Sequence, residues 1–223
     1  MLFAAETAKD LGAKKVTLVA PYFPYLRQDK RFKKGEAISQ RIIAGLMDEY
    51  FDAIYIIDPH LHRENKLEHI FRTTAEKLTA NALIADYIKK NIKDPIIIGP
   101  DEESYKWAKN VADMLGVESF ILKKKRHSSY NVKIRLNKKI DLKDKNVVIV
   151  DDIISTGHTI LETVKLLKKL GAKKIYSICV HGIFVNDVLN KLKKAGLEVI
   201  ATNTIPNEVA KIDVSGVIAG SLE

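Results

Sequence analysis

Short apolar runs alternate with stretches of helical periodicity along this 223-residue chain, and this alternation most limits the folds it can adopt. The apolar runs predict strands and the periodic stretches predict helices. Predicted strands lie at 15–20, 53–57, 95–99, 118–122, 146–150, 174–180 and 198–203, and predicted helices at 36–49, 79–91, 102–115, 158–170 and 184–195. Strands that alternate with helices in this way are typical of parallel, doubly wound sheets. We therefore expect an α/β protein.

A short internal repeat indicates that the chain has two related α/β halves. The segments LGAKKVTLVAP and LGAKKIYSICV, at 11–21 and 170–180, share a helix end, a glycine, a lysine pair and a strand. We predict a first half at 1–80, a second half at 81–205 and a terminal segment, 206–223, that packs back on the first half. The chain starts on a helix without a preceding strand, so we expect either upstream residues or a borrowed sheet edge.

Composition excludes some classes of function and leaves others open. No apolar run approaches the roughly 20 residues that a membrane-spanning helix needs, so we expect no membrane association. The lone cysteine, Cys179, permits no internal disulfide, which favours a cytoplasmic protein. The net charge of +9 fits a solvated lysine-rich surface, a phosphorylated substrate or nucleic acid, and charge alone does not decide among them.

The segment NVVIVDDIISTGHTI, at 146–160, carries the clearest chemical signal. An apolar strand ends in Asp151 and Asp152, hydroxyl residues and Gly157 follow, and a helix begins near Thr159. A helix N-terminus with a close backbone approach suits a phosphate monoester, while the two carboxylates suit a sugar diol or hydrated Mg²⁺. A sugar phosphate with vicinal hydroxyls meets all of these demands. The alternative is an ordinary helix cap beside an exposed acidic pair.

Two further segments allow both a structural and a functional reading. LKKKRHSSYN, at 122–131, is either a solvated basic turn or a mobile lid over phosphate groups. His60 and His62 follow Asp58-Pro59, which should end a strand and begin a loop. A histidine at a strand end is a structural hydrogen-bonding residue or a ligand-binding one, and the loop favours binding for His60.

Taken together, these segments resemble the ribose-phosphate diphosphokinases, also called PRPP synthetases, where PRPP is phosphoribosyl diphosphate. VIVDDIISTGHT resembles the PRPP-binding motif that these enzymes share with type I phosphoribosyltransferases. APYFPYLRQDKRFKKGEAIS, DPHLHRE, GPDEES and TNTIP are similar to the family's other motifs and follow the family's order. The resemblance implies two halves of the type I phosphoribosyltransferase fold and transfer of the diphosphoryl group of ATP to ribose 5-phosphate.

The resemblance also implies roles for individual residues, by position. The implied catalytic cations are Lys124 and Arg126. The implied ATP-binding residues are Arg27, Gln28 and His60. The residues implied to bind ribose 5-phosphate are Asp151, Asp152, Ser155, Thr156, Gly157 and Thr159. The implied residues near Mg²⁺ are His60 and Asp101. Family members form active sites at subunit contacts, so we expect at least a homodimer and no nucleic-acid partner.

Three departures from the family pattern keep other functions open. Glu102 and Glu103 stand where many relatives have small residues, His158 replaces a common glycine, and the family's amino-terminal adenine-binding hairpin has no counterpart here. The rival readings are a type I phosphoribosyltransferase, a catalytically silent regulatory subunit and an RNA-binding regulator on the same fold. A transferase would not be expected to carry RQDKRF and DPHLH upstream of the acidic motif.

Overall fold

The computed structural model describes residues 1–62, 66–128, 131–136 and 140–222, with the side chains of 123–128 and 131–135 left undescribed. The chain divides into two compact units, Met1–Thr79 with the segment from Ser215 onward, and Ala80–Val214. Residues 206–214 therefore lie in the second unit, whereas we predicted that they belong to a segment packing on the first half. The reason is a short strand at Ala210–Ile212 that pairs with the strand before it.

The first unit is a small parallel sheet with helices. Its elements are α1 (Leu2–Asp10), β1 (Thr17–Ala20), α2 (Ser39–Tyr50), β2 (Ala53–Ile57), a 3₁₀ helix (Leu67–His69), β3 (Thr74–Leu78) and α7 (Ser215–Ala219). The strands pair in the order β1-β2-β3. The core lies around β2 and α2, with Ile54, Ile56, Ala44 and Met47 buried, because both elements present apolar residues to the same interior.

The second unit holds the longer sheet. Its elements are α3 (Asn81–Asn91), β4 (Pro95–Gly99), α4 (Tyr105–Leu115), β5 (Ser119–Ser128), β6 (Asn131–Leu136), β7 (Asn146–Ile154), α5 (His158–Lys169), β8 (Lys174–Gly182), α6 (Val188–Lys194), β9 (Leu197–Thr202) and β10 (Ala210–Ile212). Within the described residues, seven strands pair in the order β10-β9-β8-β7-β4-β5-β6. All neighbours are parallel except β5 and β6, which are antiparallel.

The predicted α/β class with mainly parallel sheets is confirmed. The central strand β7 is apolar and buried along Val147–Val150, as expected for a strand covered on both faces. Helix α4 ends at Gly116 in the left-handed conformation, the usual glycine position at a helix end.

One predicted loop has a different backbone. Residues 123–131 were expected to form a mobile loop, but residues 123–128 continue β5 and pair antiparallel with β6, while 129 and 130 lie outside the described residues. The sequence NVKIRL alternates apolar and basic residues with the period of a strand. An antiparallel strand pair is therefore consistent with the sequence, although the consecutive basic residues of β5 do not show the alternation of a strand.

Candidate functional site

The acidic pair lies inside a strand and not in an exposed loop. Asp151 and Asp152 belong to β7, and they are 9% and 2% exposed. The pairing of β7 with β4 ends at Ile149, whereas its pairing with β8 continues to Ile154. Strand β7 therefore extends beyond β4 while it remains paired with β8. This extension places both carboxylates within the strand, at the edge of the sheet where the strands have their carboxyl ends. The strand is therefore longer than the predicted 146–150, and the acidic pair is buried, not exposed as the helix-cap alternative requires.

Burial and neighbouring carboxylates oppose ionisation of Asp151. Removal from water, the Asp152 carboxylate and the Asp101 carboxylate together raise the pKa of Asp151 well above its usual range. The Asp151 carboxylate accepts a hydrogen bond of 2.9 Å from the Asp152 backbone N–H, which offsets part of this effect. A carboxylate held under such conditions gains from a hydroxyl donor or a cation beside it. Raised carboxyl pKa values of this kind are frequent in functional sites.

The hydroxyl-rich loop follows directly and leads into a long helix. Ser155 and Thr159 are partly exposed and Thr156 is exposed, so their hydroxyl groups are accessible to a ligand. Helix α5 begins at His158, and the first-turn N–H of Leu161 donates to the Gly157 carbonyl at 2.9 Å. The twelve-residue α5 directs its positive dipole end and its first N–H groups toward this loop.

Position 157 requires a glycine because of its backbone conformation and because there is no room for a side chain. Its φ of 67° lies in the left-handed region, which side chains with a Cβ rarely adopt. A Cβ at this position would also collide with the Val188 side chain of α6. The loop therefore lies close to α6. This packing explains why position 157, where the sequence predicted a phosphate-binding glycine, has no room for a side chain.

The loop between β4 and α4 brings a third carboxylate to the same edge of the sheet. The Asp101 Oδ1 atom accepts hydrogen bonds from the Glu103 N–H, the Ser104 N–H and the Ser104 hydroxyl at 3.1, 2.9 and 2.8 Å. Asp101 thus organises the loop before α4 in addition to any ligand contact. Glu102 and Glu103 are exposed.

The predicted ATP residues Arg27, Gln28 and His60 belong to the first unit, where two loops carry them. Arg27 is exposed, while the Gln28 side-chain amide donates to the Ala37 carbonyl at 2.9 Å and so ties the loop to the segment before α2. His60 is partly exposed, and its ring meets that of His62 edge to face with centroids 4.7 Å apart. The two rings approach because β2 ends at Ile57, so the alternation of a strand no longer separates them.

Asp58, predicted with Pro59 to end the strand, shapes the His60 loop. Its φ of 39° is unusual for a non-glycine residue, and its side chain is 1% exposed. The Thr79 hydroxyl donates to the Asp58 carboxylate at 2.9 Å, and the Asp58 N–H donates to the Leu78 carbonyl at 2.9 Å. These bonds turn the chain sharply after β2. Asp-Pro after an apolar run was the available signal for this turn.

The predicted catalytic cations lie partly outside the described residues. The backbone of Lys124 and Arg126 forms part of β5, where they pair with Ile134 and Val132 of β6. Their side chains are outside the described part of the chain. In the second unit, the structure thus brings Asp101, Asp151, Asp152 and the 155–159 loop to one edge of the sheet.

Comparison with known sequences identifies the family. Residues 1–50 match the N-terminal domain of ribose phosphate pyrophosphokinase, and residues 66–211 match the phosphoribosyl transferase domain. A ribose-phosphate pyrophosphokinase of Methanothermobacter thermautotrophicus is 44% identical over 220 residues, covering 98% of this chain and 76% of that protein. The chain belongs to the ribose-phosphate pyrophosphokinase family. This name is a synonym of the ribose-phosphate diphosphokinase that the motifs resemble, and the recognised resemblance is confirmed.

Two further members of the family support this assignment. A ribose-phosphate pyrophosphokinase of Pyrococcus abyssi is 38% identical over 213 residues, covering 96% of this chain and 73% of that protein. The crystal structure of phosphoribosylpyrophosphate synthetase from Mycobacterium smegmatis superposes with a TM-score of 0.84 at 28% identity, covering 99% of this chain and 74% of that one. The chain therefore spans about three quarters of the length of these pyrophosphokinases.

Among the described residues, none of the helices combines the length and apolar character that a membrane-spanning segment needs.

Proposed function

We propose that this chain is a ribose-phosphate pyrophosphokinase that transfers the β,γ-diphosphoryl group of ATP to the 1-hydroxyl of ribose 5-phosphate. The 1-hydroxyl oxygen bonds to the β-phosphorus and gives up its proton to solvent, the bond from that phosphorus to the α,β-bridging oxygen breaks, and the products are PRPP, AMP and a proton. The observation that carries the proposal is the family match over both 1–50 and 66–211. A type I phosphoribosyltransferase would account for the second match but not for the first.

The second unit supplies the sugar-phosphate contacts in this proposal. The hydroxyl groups of Ser155, Thr156 and Thr159, with the backbone at Gly157, bind the 5-phosphate at the start of α5. Asp151 and Asp152 accept hydrogen bonds from the sugar hydroxyls farther along the ligand. This arrangement separates the negatively charged phosphate from the two carboxylates, which would repel it. It also gives the buried Asp151 carboxyl group, whose ionisation is unfavourable, hydroxyl donors that offset this cost.

Magnesium fits the donor set of the second unit. Mg²⁺ prefers oxygen ligands, usually one or two carboxylates together with substrate phosphates and water. Burial, the Asp152 carboxylate and the Asp101 carboxylate raise the pKa of Asp151, and a cation at this edge would relieve the repulsion among the three carboxylates. We assign Asp101 as the protein ligand nearest the metal. Bound Mg²⁺ would neutralise charge on the transferring diphosphoryl group.

Arg27, Gln28 and His60 complete the proposed ATP contacts from the first unit. Arg27 has the planar fork that suits phosphate oxygens, and its exposure leaves it accessible. Imidazole nitrogen is a poor ligand for Mg²⁺ in comparison with carboxylate oxygen. We therefore expect His60 to donate a hydrogen bond to a phosphate oxygen of ATP.

Lys124 and Arg126 are proposed to act on the transition state. Phosphoryl transfer needs alignment and positive charge more than covalent help from the protein. Their positions on β5, in register with β6, place both in one hairpin. We propose that this hairpin brings their cations to the transferring group.

Assembly and location belong to the same proposal. Phe3, Leu11 and Ile42 are 91%, 84% and 61% exposed, which supports association of copies into at least a dimer. The single cysteine, Cys179, is buried and free, which supports a reducing cytoplasm. Light scattering of the purified chain tests the proposed association into at least a dimer. A monomer at micromolar concentration would contradict it.

The proposal is tested by supplying the chain with ATP, ribose 5-phosphate and Mg²⁺ and separating the nucleotides by chromatography. We expect AMP to form only when all three are present. Formation of AMP in the absence of ribose 5-phosphate would contradict the proposal. Consumption of added PRPP that depends on a nucleobase would favour a phosphoribosyltransferase. Binding of both ligands without turnover would favour the silent regulatory subunit.

A further inference from the structure

The sugar-phosphate loop is supported from behind by a segment that sequence motifs do not mark. This segment, residues 183–188, connects β8 to the first residue of α6. The N–H groups of Ile183 and Phe184 both donate to the Ile154 carbonyl, at 3.0 and 3.1 Å. The Val185 N–H donates to the Ser155 carbonyl at 3.2 Å. The backbone that leads into the hydroxyl-rich loop is therefore bonded directly to this segment.

The far end of the loop meets the same segment through side-chain packing. Val188 is 1% exposed, and its side chain occupies the space in which a Cβ of Gly157 would stand. The side chain of Leu192, one turn later in α6, lies 3.7 Å from that same point. The hydroxyl-rich loop thus rests on 183–188 at both ends, through hydrogen bonds at Ile154 and Ser155 and through contact at Gly157.

The supporting segment has a conformation that must be held by its surroundings. Phe184, Asn186 and Asp187 have φ values of 47°, 53° and 58°. Asparagine and aspartate tolerate the left-handed region, but an aromatic residue there is a clear outlier. The Phe184 ring lies over Gly182, where a Cβ would collide with it, and packs against the core of the second unit. Backbone conformations of this kind persist only where packing fixes them.

We propose that Val188, within the 183–188 segment, is a positioning residue for the phosphate of ribose 5-phosphate. Its side chain limits how closely Gly157 can approach α6. The position of Gly157 in turn sets the distance between the loop hydroxyls and the first N–H groups of α5. The inference rests on the proposed function, because it concerns the sugar-phosphate site assigned above. It assigns phosphate affinity to a residue that does not touch the ligand.

The test compares two valines of the same core. Val188→Ala and Val199→Ala each remove two methyl groups from buried positions, 1% and 4% exposed, and only the first lies against the loop. We expect Val188→Ala to raise the Kd of ribose 5-phosphate about tenfold, within the cost of a small misplacement of a binding group. Val199→Ala should leave that Kd within about twofold while the melting temperature falls equally in both. The Kd of ATP should stay unchanged in each.

Calorimetric titration with ribose 5-phosphate, and separately with ATP, measures these values. Equal ribose 5-phosphate affinity in Val188→Ala and Val199→Ala would overturn the positioning role and leave the proposed function intact. Absence of ribose 5-phosphate binding by the unsubstituted chain would overturn the proposed function, and the positioning role with it.

A second pair of variants covers the case in which Val188→Ala does not fold. Gly157→Ala places a methyl group against Val188 and should weaken ribose 5-phosphate binding. The double variant Gly157→Ala with Val188→Ile should bind it more weakly still, because the larger side chain increases the collision. An affinity of Gly157→Ala that is independent of the residue at 188 would overturn the proposal.

Discussion

The backbone N–H of Asp152 donates a 2.9 Å hydrogen bond to the carboxylate of Asp151, and both side chains are buried in β7. This contact is local and does not supply a counter-charge. Burial, together with the Asp152 and Asp101 carboxylates, therefore disfavours the charged form of Asp151 in the ligand-free protein. In the proposed function, ribose hydroxyls and Mg²⁺ would each relieve that cost.

Asp151→Asn should stabilise the ligand-free protein at neutral pH. Because the pKa of Asp151 is raised on folding, ionisation costs stability as the pH rises above its unfolded value, which is about 3.9. The asparagine variant avoids that cost. Its free energy of unfolding should therefore equal that of the unsubstituted protein in acid, and should exceed it increasingly until the pH passes the raised folded pKa of Asp151. We expect about 1 kcal/mol, or roughly 2–4 °C, at pH 7. Calorimetric melting from pH 3.5 to 8 measures this, and a gain that is independent of pH would contradict it.

Asp152→Asn should weaken ribose 5-phosphate binding by roughly 1–3 kcal/mol, the scale of losing a charged hydrogen-bond partner. Because Asp152 is 2% exposed, its substitution should also change the melting temperature. Calorimetric titration measures the affinity, with Asp113→Asn on the exposed surface of α4 as the control. Unchanged affinity would exclude Asp152 from the sugar contacts and leave it a structural residue of β7.

Two substitutions at Asp101 should separate its charge from its role in the loop. Asp101→Asn keeps an oxygen for the Ser104 hydrogen bonds and removes a charge that opposes Asp151 ionisation, so its melting temperature should not fall below that of the unsubstituted protein. Asp101→Ala loses the bonds to Glu103 and Ser104 and should be about 1 kcal/mol less stable. If Asp101 holds Mg²⁺, both variants should need more Mg²⁺ for half-maximal activity. An unchanged Mg²⁺ requirement in Asp101→Asn would exclude it as a metal ligand.

Arg126→Ala should lower kcat by about 10²–10³, the effect of removing one preorganised donor at a transition state. Both KM values should change far less, because the interaction forms only as the diphosphoryl group moves. Steady-state kinetics with Lys165→Ala as an exposed control on α5 checks this. A raised KM with intact kcat would make Arg126 a ground-state phosphate contact.

The sequence was informative where a local pattern determines the structure. The apolar run 146–150 and the spacing after Thr159 located β7 and α5, because buried parallel strands and amphipathic helices have distinct periodicities. Asp151 to Ile154 were not predicted as strand, since their strand conformation comes from continued pairing with β8, a neighbour that is distant in sequence. No local pattern reports that pairing.

Other elements were missed because their stability is not local. Strand β3, TAEKL, has a single buried residue and β10 spans three residues, so neither shows the apolar run of a strand. Gly157 was predicted as a site of close backbone approach, but Val188 as its neighbour was not. That contact depends on how α6 packs on the sheet. Local sequence patterns do not determine this packing.

ATP labelled with ³²P at its γ-phosphate shows whether the diphosphoryl group is transferred to ribose 5-phosphate intact. The chain is incubated with labelled ATP, ribose 5-phosphate and Mg²⁺, and the products are separated by anion exchange. We expect the label in PRPP, with AMP formed in equal amount. Label released as inorganic phosphate together with ADP, or label retained in ATP under conditions in which both substrates bind, would contradict it.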